Sequence, residues 1–139
     1  MTIPCIDHSQ IRVLVVDDEV SIRMSLTAFL EDYDFDVSEA QSAEEALALM
    51  EYIPYHVGII DLRLPGMSGD ALILIAQQRC PHMHFIIHTG SSNYSLSEEM
   101  RRIGLTDNHL FLKPVSDLML IVETVEKLVK GEELTDVGK

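Results

Sequence analysis

The chain has 139 residues, 23 Asp and Glu against 10 Lys and Arg for a formal net charge of −13, and 47% hydrophobic residues. That apolar fraction, gathered in short blocks, excludes a disordered chain, and the length suits one acidic globular domain burying roughly two-thirds of its unfolded surface. Too few basic residues are present to displace counterions from nucleic-acid phosphates, and apolar runs such as 118–122 fall far short of the roughly 20 residues of a membrane span.

The opening MTIPCIDHSQ has no basic stretch followed by an apolar core, so no signal peptide is read and the cytoplasm is the expected location. A β-branched block at 13–16 reads as the first strand. A helical stripe follows, made of Val20, Met24, Leu26, Thr27, Phe29 and Leu30, with Glu31 and Asp32 just beyond it. A weaker strand is expected at 35–37. Ser42 and Glu45 have capping-box spacing and open a second helix that Pro54 stops. The third strand is expected at 57–60, and a third helix runs from about Gly69 to Arg79, before Pro81. A strand at 85–87, a fourth helix from near Ser95 to Gly104 with Glu98 in the capping-box position, and a weak strand at 110–112 come next. The last helix spans about 116–130, after Pro114, and Gly131 closes it. The domain is expected to cover 10–131, with 1–9 and 132–139 as flexible termini. Only a short tail follows Gly131, which leaves either a stand-alone domain or a piece of a longer protein.

Five strands alternating with five helices imply right-handed crossovers and an α/β fold, a doubly wound parallel sheet whose expected strand order is 2-1-3-4-5. In such a sheet ligands gather at the carboxyl ends of the strands where the winding reverses, here between the first and third strands. Asp17, Asp18 and Glu19 follow the first strand and Asp61 follows the third. An acid after a strand often does no more than cap a helix or face solvent, so the convergence carries the inference. Two carboxylates about 4 Å apart repel by roughly 4 kcal/mol at an effective dielectric near 20, and a hard divalent cation such as Mg²⁺ is the natural neutraliser of oxygen ligands. Thr89 and Gly90 end the fourth strand and Lys113 ends the fifth. A carboxylate flanked by a cation, a hydroxyl and an ammonium suits a phosphoryl group.

The runs Val13-Leu14-Val15-Val16-Asp17-Asp18-Glu19, Ile59-Ile60-Asp61-Leu62-Arg63-Leu64-Pro65-Gly66-Met67-Ser68-Gly69, His88-Thr89-Gly90 and Leu112-Lys113-Pro114 resemble, in order and separation, the CheY-like receiver domains of two-component response regulators. The resemblance spans about residues 10–130 and implies a flavodoxin-like fold. It also implies that Asp61 takes a phosphoryl group from a sensor histidine kinase or a histidine phosphotransfer protein. By the same resemblance Asp17, Asp18, Asp61 and the backbone carbonyl of Arg63 hold Mg²⁺, while Thr89 and Lys113 bind the phosphoryl oxygens. A cis bond before Pro114 belongs to the family pattern. The face of the fourth helix, fifth strand and fifth helix is implied as the partner surface, with a homodimer as one form of partner.

Two departures stand out. Leu110 occupies the position three before the lysine where an aromatic is usual, with Phe111 expected on the opposite side of the strand, and the stretch 104–113 is about two residues long for the family. The expected route for a conformational signal is therefore Thr89 and the loop 91–94. Three rivals are a haloacid-dehalogenase-type phosphatase, a flavin-binding module, and a receiver that has lost its chemistry. The first would carry two Asp residues with one residue between them after the first strand, where this chain has Glu19 two after Asp17, and the second would offer hydroxyls rather than three acids there. The third sits badly with intact acids, Thr89 and Lys113. Cys5 and Cys80 are expected as free thiols, the six His as scattered packing or surface groups, the Met residues as core, and the acids Glu31, Asp32, Asp34, Asp36 and Glu39 as solvated surface.

Overall fold

A computed structural model describes residues 8–134. The expectations for 1–7 and 135–139, Cys5 included, lie outside the described residues. Strand β1 (Arg12–Val16) leads to α1 (Val20–Asp32), β2 (Asp36–Ala40), α2 (Ala43–Met50), β3 (Val57–Ile60), α3 (Gly69–Arg79), β4 (His84–Thr89), α4 (Glu98–Arg102), β5 (Leu110–Leu112) and α5 (Met119–Lys130). All strand pairs are parallel, as the alternation of elements requires, and the order is β2-β1-β3-β4-β5.

Alternate strand residues feed two cores. Leu14, Val16, Ile60, Phe85 and Ile87 pack with Ala46 of α2, Leu72 and Ala76 of α3 and Met100 of α4. Val13, Val15, Val57, Ile59 and Ile86 pack on the other face with Leu26 and Leu30 of α1 and Ile121, Val122 and Val125 of α5. Burial on both faces explains why the central strands are apolar throughout rather than alternating. Leu110 packs toward the first core and Phe111 toward the second, the period-2 separation expected of neighbours in a strand.

Several expectations shift. β2 runs to Ala40, because pairing with β1 from Arg12↔Asp36 to Val16↔Ala40 extends a polar edge strand that has no apolar run of its own. α4 starts at Glu98, not near Ser95, since Leu96 is buried and the Ser97 hydroxyl accepts the Met100 N–H. α5 starts at Met119 rather than 116, because the Asp117 carboxylate accepts the Met119 N–H and holds the preceding turn outside the helix. Val20 and Met24 are exposed at 54% and 58%, so the buried stripe of α1 narrows to Leu26, Thr27 and Leu30. Met50, Met83 and Met100 are in the core as expected, whereas Met24 faces solvent. His56 and His109 each accept a backbone N–H, from Arg12 and Thr106 respectively.

Candidate functional site

The sheet register brings the site together. Val16 pairs with Ile60 and Thr89 with Leu112, so the residues that follow emerge at one edge. The ladder continues one step into the loops: Asp17 N–H donates to the Ala40 carbonyl, Asp61 N–H to that of Val16, and Lys113 N–H to that of Thr89, at 3.1, 2.9 and 2.8 Å. Asp17 and Asp61 are consequently fixed by the sheet itself, and they are 2% and 3% exposed.

Lys113 closes the arrangement. Its Nζ donates to Asp17 Oδ2 at 2.7 Å, Asp61 Oδ2 at 3.1 Å and Glu19 Oε1 at 3.4 Å. The other oxygens are held by backbone: Asp17 Oδ1 accepts the Glu19 N–H at 2.9 Å, and Asp61 Oδ1 accepts the Arg63 N–H at 3.2 Å. Burial pushes the Asp61 carboxyl above its ordinary pKa, against the opposing pull of the Arg63 N–H and Lys113, and the neighbouring Asp17 charge pushes it further. Burial alone would weaken the Lys113 ammonium, but Asp17 and Asp61 outweigh it and hold its pKa above the usual value. Beside them His88 is buried in β4, held neutral with a pKa lowered to about 4 by burial and by Lys113.

Thr89 is fully buried at the end of β4, where its hydroxyl accepts the Ser91 N–H at 3.3 Å and so starts the β4–α4 loop. The Lys113–Pro114 bond is cis. A cleft of about 510 Å³ reaches Lys113 between α1 and the start of α5, with Glu19, Ile22, His88, Gly90 and Leu118 on its walls.

The strand ends bring Asp17, Asp18, Glu19 and Asp61 to one edge, and the family resemblance takes Asp17, Asp18 and Asp61 from them as metal ligands. The structure groups Asp17, Glu19 and Asp61, whose carboxylate oxygens lie within 4.8 Å of one another, and this is the one such His/Cys/Asp/Glu cluster among the described residues. Asp18 is exposed and outside that group. Arg63 sits in the β3–α3 loop with an exposed side chain, and Gly66 in the same loop takes φ +76°, as its turn demands. Two contributors were missed. Arg23 of α1 donates from Nη1 to the Asp17 carbonyl at 2.7 Å and from Nε to Glu39 at 3.0 Å, so Glu39 is not merely solvated surface. Gly69 has its Cα against the Asp61 backbone.

The donor set fits a hard divalent ion. Every candidate ligand is an oxygen, the three clustered acids face a single ammonium, and a net negative site remains for a cation to neutralise.

Comparison with known proteins agrees with this geometry. The response regulator receiver domain model matches residues 13–126. The transcriptional regulatory protein FixJ of Azorhizobium caulinodans is 34% identical over 124 residues, which are 87% of this chain and 56% of that protein. A CheY-like response regulator receiver domain protein from Methanospirillum hungatei superposes with TM-score 0.73 at 29% identity, covering 87% of this chain and 94% of that one. The response regulator TrrA of Thermotoga maritima, solved in complex with Mg²⁺-BeF, gives TM-score 0.70 at 27% identity over 86% of this chain and 99% of that one. The chain spans between about a quarter and just over half of the length of the first curated relatives it matches. With the sheet order, the acid cluster and Lys113 in place, these matches establish that the chain belongs to the response regulator receiver domain family.

Proposed function

We propose that Asp61 is a phosphoacceptor, taking its phosphoryl group from the phosphohistidine of a sensor histidine kinase or a histidine phosphotransfer protein. The observation that carries this reading is the environment of Asp61: a buried carboxylate at a strand end, 3.1 Å from Lys113 Nζ and beside Asp17. An Asp61 carboxylate oxygen attacks phosphorus, the P–N bond breaks, and its electron pair returns to the departing imidazole. Asp17 and Asp61 would hold Mg²⁺, with Asp18 and the Arg63 carbonyl as the further ligands that the family resemblance implies. The bound ion would supply charge neutralisation, which lets an anionic phosphoryl group approach a carboxylate. The TrrA relative, solved in complex with Mg²⁺-BeF, supports that assignment.

Lys113 is placed to exchange its bonds to Asp17 and Asp61 for one to a phosphoryl oxygen, and the Thr89 hydroxyl to give up its role as acceptor for Ser91 and donate to another. The resulting shift of the β4–α4 loop would be read by a protein partner. We place that partner on the α4–β5–α5 face, where Leu112 is 46% exposed, and a second copy of the chain is one candidate. The receiver is taken to span 10–131.

The test is incubation with a small phosphodonor such as acetyl phosphate and Mg²⁺, followed by intact mass. A single-phosphoryl adduct is expected on the wild type, absent with EDTA and absent in Asp61→Asn. No adduct, or one that persists in Asp61→Asn, defeats the reading.

A further inference from the structure

The junction between β1 and α1 carries the acids of the site, yet its helix has no side-chain cap: Glu19 at the N-cap makes no capping hydrogen bond. Arg23, one turn into α1, supplies what is missing. Its backbone N–H closes the first helical turn on the Glu19 carbonyl at 3.0 Å, and its side chain folds back to donate to the Asp17 carbonyl at 2.7 Å. Nε of the same guanidinium bonds Glu39 near the end of β2 at 3.0 Å, and the Arg23 side chain is only 13% exposed. Three elements therefore meet on one planar group.

The effect on Asp17 is close to complete immobilisation. Its N–H is spent on Ala40, its carbonyl on Arg23, one carboxylate oxygen on the Glu19 N–H and the other on Lys113. Remove the Arg23 bond and the carbonyl loses its charge-assisted donor, so the peptide between 17 and 18 loses one of its restraints and the acids on either side of it are held less tightly.

We propose that Arg23 is a positioning residue for the metal ligands, a clamp between β2 and the β1–α1 loop that holds Asp17 and its neighbours aimed for Mg²⁺. The inference rests on the reading of Asp17 and Asp61 as Mg²⁺ ligands given above. It is a claim about geometry, and the sign of the alternative differs: a guanidinium acting only as a nearby positive charge would repel Mg²⁺, so its loss would tighten binding. Lysine keeps the charge but is a single ammonium that cannot reproduce the planar fork spanning two acceptors.

Arg23→Lys is therefore the informative change. Mg²⁺ is titrated into chelator-stripped protein while the Arg63 amide, bonded to Asp61 Oδ1, is followed by ¹H–¹⁵N NMR. Thermal unfolding in EDTA serves as the structural control. Substitutions behind metal ligands commonly weaken affinity by 10–100-fold, and about a tenfold rise in the Mg²⁺ Kd is expected for Arg23→Lys, at temperatures where the variant is fully folded. Glu39→Ala, at an exposed position, frees one end of the guanidinium and is expected to shift affinity in the same direction by less. Unchanged Mg²⁺ affinity in both variants overturns the proposal. So does unchanged affinity in Arg23→Lys with tighter binding in Arg23→Gln, since Arg23 would then act only through charge. A wild type that forms the Asp61 adduct while these variants bind Mg²⁺ normally sinks the clamp alone; a wild type that takes up no Mg²⁺ brings down the metal reading and the clamp with it.

Discussion

At Gly69 the first residue of α3 touches the backbone that carries the acceptor. A Cβ added there would lie 2.3 Å from the Asp61 carbonyl oxygen and 2.7 Å from the Leu62 Cα, both backbone atoms that no rotamer change can move away. Gly69 N–H also donates to the Leu62 carbonyl at 3.0 Å, so the contact is bonded as well as close. The glycine is needed for space, not for an unusual φ, unlike Gly66 a few residues earlier. In a helix Gly→Ala ordinarily stabilises by about 1 kcal/mol. Here overpacking against backbone should outweigh that gain, and Gly69→Ala is expected to destabilise the fold by about 1–3 kcal/mol net. Urea unfolding would show it, and a variant as stable as the wild type would mean the α3 junction yields more easily than this packing suggests.

Among the elements, the β4–α4 loop is the one placed to move. It is tied at its start by the Thr89 hydroxyl to Ser91, and further along by the Tyr94 hydroxyl, which donates to Asp70 of α3 at 3.4 Å. Burial and the Asp70 charge raise the Tyr94 pKa to about 12, so this donor keeps its proton at any physiological pH. Leu110, where an aromatic would be usual, packs into the same core as Tyr94 and offers no hydroxyl of its own. If Thr89 drags the loop when Asp61 is modified, the Tyr94 tether opposes it, so Tyr94→Phe should shift the loop amides toward their beryllofluoride-bound positions and tighten beryllofluoride binding by a few-fold, about 0.5–1.5 kcal/mol for one hydrogen bond. Unaltered affinity and loop shifts would remove Tyr94 from the switch. Sequence was a sufficient guide to the strands that hold the site, because a both-faces-buried strand is a short continuous apolar run and the acids follow it directly. It placed β2 at 35–37 but not its run to Ala40, which depends on pairing with β1. It also misread α4, where the choice between Ser95 and Ser97 as cap turns on Leu96 entering the core. The Arg23 and Glu39 pair was hidden for another reason: 16 positions separate residues that only the β1–β2 register brings together.

Over the whole molecule the charge of −13 divides between an open acidic surface and a few acids that the fold confines around Lys113. His88, His56 and His84 respond to acid in the opposite sense from Asp61, because burial excludes the charged form of each group. His88 is the strongest case, 5% exposed with a folded pKa of about 4 against an ordinary 6.5. Above pH 6.5 it is neutral folded and unfolded and contributes nothing to the pH dependence. Between 6.5 and 4 the unfolded chain takes up a proton that the folded chain refuses, so stability falls with pH through that window and levels off below it. The full loss from this one group is roughly 3 kcal/mol, and about 2 kcal/mol of it is reached by pH 5. His56 and His84, shifted downward by burial, add in the same direction. Replacing His88 with Leu removes the titrating group while keeping an apolar side chain in β4. Denaturant unfolding at pH 7 and pH 5 should then show a wild-type loss of stability larger than that of His88→Leu by about 2 kcal/mol, the contributions of the other groups cancelling in the difference. Equal losses in the two proteins would mean that β4 accommodates a charged imidazole beside Lys113, and that the cleft leading to the site is wetter than its burial implies.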